Sequence, residues 1–192
     1  MSDRVPAEYI ETFYLGEMTR EESVELLREI IKQTSISLHE ENIVEIIGKL
    51  GGLPVLLYNV VNYSVRYRLS INESLRYLEN SVYEELIQKL RMIYKQVVSM
   101  KSIDVWSKIK SVLREVIDKP VDVLDIDIET LDVIDKLVEH NILQYGCRDY
   151  IGIYRWNRDR SGGICYLDII APSNRLYCKA LENYLKKHLE EH

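Results

Sequence analysis

The hydrophobic pattern of this chain changes period several times, and each change marks an element. Residues 7–15 (AEYIETFYL) are short and rich in β-branched and aromatic side chains, which predicts a strand. Thr19-Arg20-Glu21-Glu22 then has the form of a capping box, with a threonine hydroxyl to accept an N–H three residues on and a glutamate to reach back. Val24, Leu27 and Ile31 follow at helical spacing. Ser37-Leu38-His39-Glu40 reads as a second box, opening a helix whose apolar stripe is Ile43, Ile46, Ile47 and Leu50. Gly51 and Gly52 end that helix, where a positive φ costs little. Pro54 suits the first turn of the next, because its missing N–H would have no helical partner there. This helix, to about residue 67, is apolar over most of its circumference (Leu53, Val55, Leu56, Leu57, Val60, Val61), the mark of a helix buried on several sides. Ser70-Ile71-Asn72-Glu73 is a third box, followed by Leu75, Leu78, Val82, Leu86 and Leu90 on one stripe. Helices joined by links this short predict a compact bundle.

The pattern weakens over residues 98–104, which places a boundary there. Beyond it, Val105, Ile109, Val112 and Val116 predict a helix ended by Pro120. The alternating piece VDVLDIDI (121–128) leads into a helix over 129–139. Two β-like runs, 142–147 and 150–156, are separated from a third, 164–170, by the polar tip NRDRSGG; a helix over 173–188 closes the chain. Helices followed by a hairpin with a polar tip predict a winged helix. The expected architecture is therefore mainly α: a strand within 1–16, a helical bundle over 17–100 and a winged-helix (α+β) unit over 101–192.

Composition narrows the function classes. A chain that is 46% hydrophobic and 29% charged builds an ordinary globular core. Its net charge of −6 argues against a dedicated nucleic-acid binder. Cys147, Cys165 and Cys178 are odd in number and lack CxxC or Cys/His spacing, so they read as reduced thiols, with no metal site. The apolar run at 53–61 falls short of the roughly 20 residues that cross a bilayer, and the N-terminus shows no signal pattern. The chain reads as cytoplasmic, with no membrane partner. One Phe beside fourteen Tyr, with abundant Ile, Val, Glu and Lys, resembles the proteins of heat-loving archaea.

Catalytic patterns are absent from the sequence. No GxxxxGK[ST] is present to cradle phosphates, and no hydrophobic strand ends in paired carboxylates for Mg²⁺. His39, His140, His188 and His192 are scattered and mostly near helix ends. Without Walker A and B motifs the isolated chain is expected not to be an enzyme, with no catalytic residue and no cofactor of its own.

The order of parts resembles a known family. YLGEMTREESVELL (14–27) is similar to the opening of the helical lid in archaeal AAA+/STAND-type ATPases, and SLHEENIVEIIGKLGGLPVLL (37–57) is similar to the stretch ending in their GG-x-P or GLPL signature. The resemblance covers residues 9–67 in sequence and the remainder in architecture. It implies that Gly52, Leu53 and Pro54 face a bound nucleotide. It also implies that a P-loop core, in cis or in trans, supplies the ATP and Mg²⁺ site, and that the lid is followed by a winged helix. Two departures stand out. The core that precedes the lid in the family is not among these residues, and 7–15 resembles only its last strand. Some relatives sense nucleotide with a His-Asp pair in the winged helix, where this chain has Leu167-Asp168. On local grounds alone GGLP also reads as a plain helix-helix corner, and the two readings are compatible.

The winged-helix region divides by charge. Glu129, Asp132, Asp135 and Glu139 on the helix before the hairpin, with Asp122, Asp125 and Asp127 ahead of it, face only Lys136, and such a helix is repelled by duplex phosphates. On the hairpin, Arg148, Arg155, Arg158 and Arg160 alternate with Tyr150, Tyr154 and Trp156. Arg148, Arg155, Trp156, Arg158 and Arg160 are thus the candidates for gripping a nucleic acid or a partner protein. A solvated wing, a partner or core contact, and DNA are the three readings, with DNA disfavoured. The expected function is the lid and winged-helix part of an archaeal STAND-like ATPase, relaying nucleotide state to a partner. The alternatives are a winged-helix DNA-binding regulator and a nucleotide-independent protein-interaction module.

Overall fold

The computed structural model describes residues 18–100, 103–146 and 169–189. The strand expected at 7–15, the run at 150–156 and the hairpin tip lie outside them. α1 (Arg20–Lys32) starts as the first box predicts: Glu22 N–H donates to Thr19 Oγ1 at 3.2 Å, and Thr19 N–H donates to Glu22 Oε2 at 2.7 Å. Leu27 is fully buried, while Val24 and Ile31 are half-covered at the edge of the layer.

The second box does not form. α2 (Glu40–Leu50) begins at His39, whose side chain makes no capping bond. Glu40, placed to reach back to Ser37, instead pairs with Arg28 of α1 at 2.8 Å. The carboxylate is in a tertiary ion pair instead, and the helix starts two residues later than the box predicts.

α3 (Pro54–Tyr67) has Pro54 at its first turn, and buries Leu56, Leu57, Val60 and Val61 against α1, α2 and α4. These three neighbours leave one stripe of it uncovered. Val55 is 60%, Tyr58 55% and Val65 45% exposed, so Val55, one of the apolar positions expected to be covered, lies on an open stripe. The third box is present at Ser70, where Glu73 N–H reaches Ser70 Oγ at 3.3 Å and Ser70 N–H donates to Glu73 at 2.7 Å. It opens the 30-residue α4 (Ile71–Met100), whose stripe Leu75, Leu78, Val82, Leu86 and Leu90 is buried as its spacing predicts.

α5 (Ile103–Asp118) precedes a three-stranded antiparallel sheet of order β1-β3-β2, made of β1 (Val121–Asp122), β2 (Leu143–Gly146) and β3 (Ile169–Pro172). The alternating run 121–128 forms only two residues of strand. Asp122 accepts the N–H of Leu124 at 2.9 Å, and this local turn diverts the chain into a 3-10 turn at Val123–Asp125. α6 (Ile128–Glu139) follows, capped by Asp127, which accepts from Thr130 N–H at 3.1 Å.

α7 (Arg175–Leu189) returns along the bundle and packs on α4, α5, α2 and β3. Its Leu176, Tyr177, Ala180 and Leu181 join one hydrophobic core that runs from Leu27 of α1 through α4 and α5 to the sheet. Polar contacts fix its register on α4. Lys179 pairs with Glu79 at 2.7 Å. Tyr177 Oη donates to Glu85 at 3.0 Å and accepts from Lys89 at 2.6 Å, and Lys89 also pairs with Glu85 at 2.6 Å. Among the described residues no helix is long and apolar enough to cross a membrane.

Candidate functional site

The glycine-proline corner is built from the end of α2 and the start of α3. Gly51 N–H closes the last turn of α2 on Ile47 O at 2.9 Å. Gly51 then takes φ 77° and ψ −165°, a region that essentially only glycine occupies, and this reverses the chain. Gly52 has a different reason to be glycine. Its carbonyl accepts the N–H of Met18 at 3.0 Å, and a Cβ built on it would lie 2.2 Å from Met18 O. The backbone that leads into α1 therefore rests directly on Gly52. Leu53 is extended, and its carbonyl takes the N–H groups of Leu56 at 3.0 Å and Leu57 at 3.2 Å, starting α3.

The three residues singled out by resemblance thus sit together, in different surroundings. Gly52 is buried beneath Met18, Leu53 is half-buried and Pro54 is exposed. No side chain caps α3, and its first turn contains no carboxylate, whereas α1 and α2 each carry two glutamates there. The positive end of the α3 dipole is left unneutralised by acidic residues of its own first turn. Lys49 on the preceding turn is engaged with Glu45 at 2.7 Å.

Arg175, the first residue of α7, is the member that sequence reasoning missed. Its guanidinium donates from Nη1 to Gly48 O at 3.1 Å. Gly48 O belongs to the last turn of α2, where carbonyls lack helical partners. An arginine 127 positions away in sequence satisfies it, and nothing in the local pattern around either residue announces the pair. Gly48 itself has open space around its missing Cβ.

The hairpin candidates Arg148, Arg155, Trp156, Arg158 and Arg160, together with Asp168, lie outside the described residues. The acidic helix before them is described, and several of its carboxylates have structural work. Asp127 caps α6 and pairs with Lys108 at 3.3 Å, and its carboxyl is held below the ordinary range, first by the Thr130 hydroxyl. Asp135 accepts from the Tyr145 hydroxyl, and burial followed by that carboxylate pushes the phenol up. On the same segment Leu124 and Ile128 are 90% and 81% exposed. Cys178 is half-buried, and its thiol is pushed up to about 11 by burial and then by Glu182 and Asp118, which keeps it protonated and unreactive. Among the described residues no cluster of His, Cys, Asp and Glu could hold a metal.

No family model matches the chain, and no curated protein matches it. Among solved structures it is similar to a Walker-type ATPase of Pyrococcus abyssi, with a TM-score of 0.55 at 12% sequence identity, over 86% of this chain and 42% of that one. The chain spans less than half the length of that protein. At this identity the likeness is one of fold: most of this chain folds as a part of a Walker-type ATPase does.

Proposed function

We propose that the chain is the helical lid and winged-helix part of an archaeal STAND-like ATPase, relaying nucleotide state to a partner and not catalytic by itself. The observation that carries this reading is the corner at residues 51–54. It presents an uncapped helix start free of first-turn carboxylates and is tied to the segment before α1 through Met18, while the α2 turn just ahead of it is tied to the C-terminal helix through Arg175 and Gly48. The likeness to a Walker-type ATPase and the sheet order β1-β3-β2 around α6 support it.

In this mechanism a P-loop core, in cis or in trans, holds ATP and Mg²⁺ and supplies the phosphate grip and the metal. Leu53 and Pro54 meet the nucleotide, and Gly52 anchors the corner to Met18 at the hinge. A change in nucleotide displaces the corner, and Arg175 carries that displacement to α7 and the sheet as a rigid-body rotation. The corner residues fit a contact role only, since they bring neither a carboxylate for Mg²⁺ nor an uncommitted lysine.

Two measurements test the reading. Calorimetry of the isolated chain with ATP and Mg²⁺ is expected to show no binding, and micromolar affinity would show that the chain holds nucleotide without a core. The natural gene and its neighbours are expected to encode GxxxxGK[ST] upstream; absence of that motif from both removes the proposal.

A nucleotide-independent interaction module is the second reading, favoured by the exposed Leu124 and Ile128 on an acidic segment. Capture of a partner by the full protein that is indifferent to ATP and to Pro54→Ala would select it.

A further inference from the structure

Two non-glycine residues among those described adopt positive φ: Arg68 at 54° and Asn141 at 55°. Each follows the last turn of a helix, α3 and α6 respectively. Asparagine is at home in this left-handed position, whereas an arginine suffers a Cβ clash there that glycine would avoid. The turn at Arg68 is nonetheless firmly held. Leu69 N–H reaches Ser64 O at 3.2 Å, and the buried Ser64 hydroxyl donates to Leu69 O at 2.6 Å.

The arginine lines a cavity of about 510 Å³ between the α1–α2 loop and the α3–α4 corner, together with Ser37, Asn42, Asn72, Leu38 and Leu69. No lining residue is acidic. On the α3–α4 side the sequence has no Asp or Glu from residue 46 to residue 72, while Glu40 and Glu41 flank the α1–α2 side, Glu40 being paired with Arg28. The neighbouring Glu73 carboxylate is committed to the N–H and hydroxyl of Ser70, at 2.7 and 2.6 Å. Among the described residues, seven cations elsewhere (Arg28, Lys32, Lys49, Lys89, Lys108, Lys119 and Lys179) pair with carboxylates.

We propose that this groove binds a small organic phosphate. The Arg68 guanidinium is suited to bidentate contact with phosphate oxygens. The hydroxyl of Ser37 and the amides of Asn42 and Asn72 supply further donors, more than a carboxylate's two oxygens call for. Leu38 and Leu69 contact the organic body, and the volume lies in the range of small-molecule sites, about 300–1,000 Å³. In this reading the Arg68 side chain serves the groove, while its backbone takes a conformation that glycine would adopt more easily. The groove lies at the end of α2 opposite the glycine corner, about 16 Å along an 11-residue helix, so it stands independently of the lid reading.

Titration of the full chain with phenyl phosphate, inorganic phosphate and benzoate, followed by amide NMR, tests the site. Phenyl phosphate is expected to bind most tightly and to shift the amides of residues 37–42 and 68–72. Arg68→Gly is expected to weaken it at least tenfold while leaving the unfolding midpoint equal or higher. Arg68→Asn, which also suits positive φ, is expected to lose binding in the same way and covers the case of a glycine variant that folds poorly. Unchanged affinity in these variants, or no saturable binding of phenyl phosphate, overturns the proposal. Equal affinity for benzoate overturns the assignment to phosphate.

Discussion

The guanidinium of Arg175, at the head of the last helix, donates to the carbonyl of Gly48 at 3.1 Å, in the turn that ends three residues before the Leu53-Pro54 step. With the packing of α7 on α2, this bond joins the C-terminal helix to the turn before the corner that the lid reading puts against nucleotide. Arg175→Ala is expected to lower stability by about 1.5–3 kcal/mol, the usual worth of a hydrogen bond with a charged donor. Amide exchange should quicken at residues 49–53 and stay unchanged in the first turn of α1. Unaltered exchange at the corner would show that α7 does not hold it.

Three glycines stand within five positions and should respond differently to alanine. Gly51→Ala forces a side chain into a glycine-only conformation and is expected to cost about 1–3 kcal/mol. Gly52→Ala drives a Cβ into the Met18 backbone and should loosen the first turn of α1 as well as the corner. Gly48→Ala sits in a helix with open space at its Cβ, and is expected to stabilise by roughly 0.5–1 kcal/mol. Denaturant midpoints of the three variants measure the order directly.

Capping separates boxes that form from one that does not. Thr19→Ala and Ser70→Ala each remove an N-cap hydroxyl and are expected to cost about 1 kcal/mol. Ser37→Ala should leave the thermal midpoint unchanged, because His39 is the residue that starts α2. A loss at Ser37 equal to that at Thr19 would contradict the assigned helix start.

The polar cluster of Glu85, Lys89 and Tyr177 predicts acid sensitivity. Burial alone would raise Glu85, but the hydrogen bonds from Lys89 and Tyr177 outweigh it and hold the carboxyl below its ordinary 4.5. A depressed folded-state value means the contribution is complete above the unfolded value and drains away as pH falls through the folded one. Lys89 is raised: burial opposes the shift, and the bonds from Glu85 and Tyr177 prevail, so its share persists through neutral pH and is lost only above 10.5. Urea midpoints measured from about pH 5 to pH 2 should fall less steeply in Glu85→Gln than in the parent. Parallel slopes would remove Glu85 from the account.

The helices and most of their inner faces follow from local pattern. Apolar spacing, the boxes at Thr19 and Ser70, the Gly51 reversal and Pro54 at a helix start each depend on residues within one or two turns, so the amino-acid sequence by itself determines them. It also brings Gly52, Leu53 and Pro54 to one corner, since they are contiguous. What required the tertiary structure is everything carried by partners distant along the chain. Glu40 pairs with Arg28 rather than closing a capping box, the Met18 backbone leaves position 52 no room for a Cβ, and Arg175 reaches across 127 positions to Gly48. The exposed Val55, Tyr58 and Val65 belong to the same class, because a helix apolar over most of its circumference does not specify which of its sides neighbours will cover. Periodicity encodes which face of an element is apolar, whereas the choice among long-range contacts is made only when the whole chain packs.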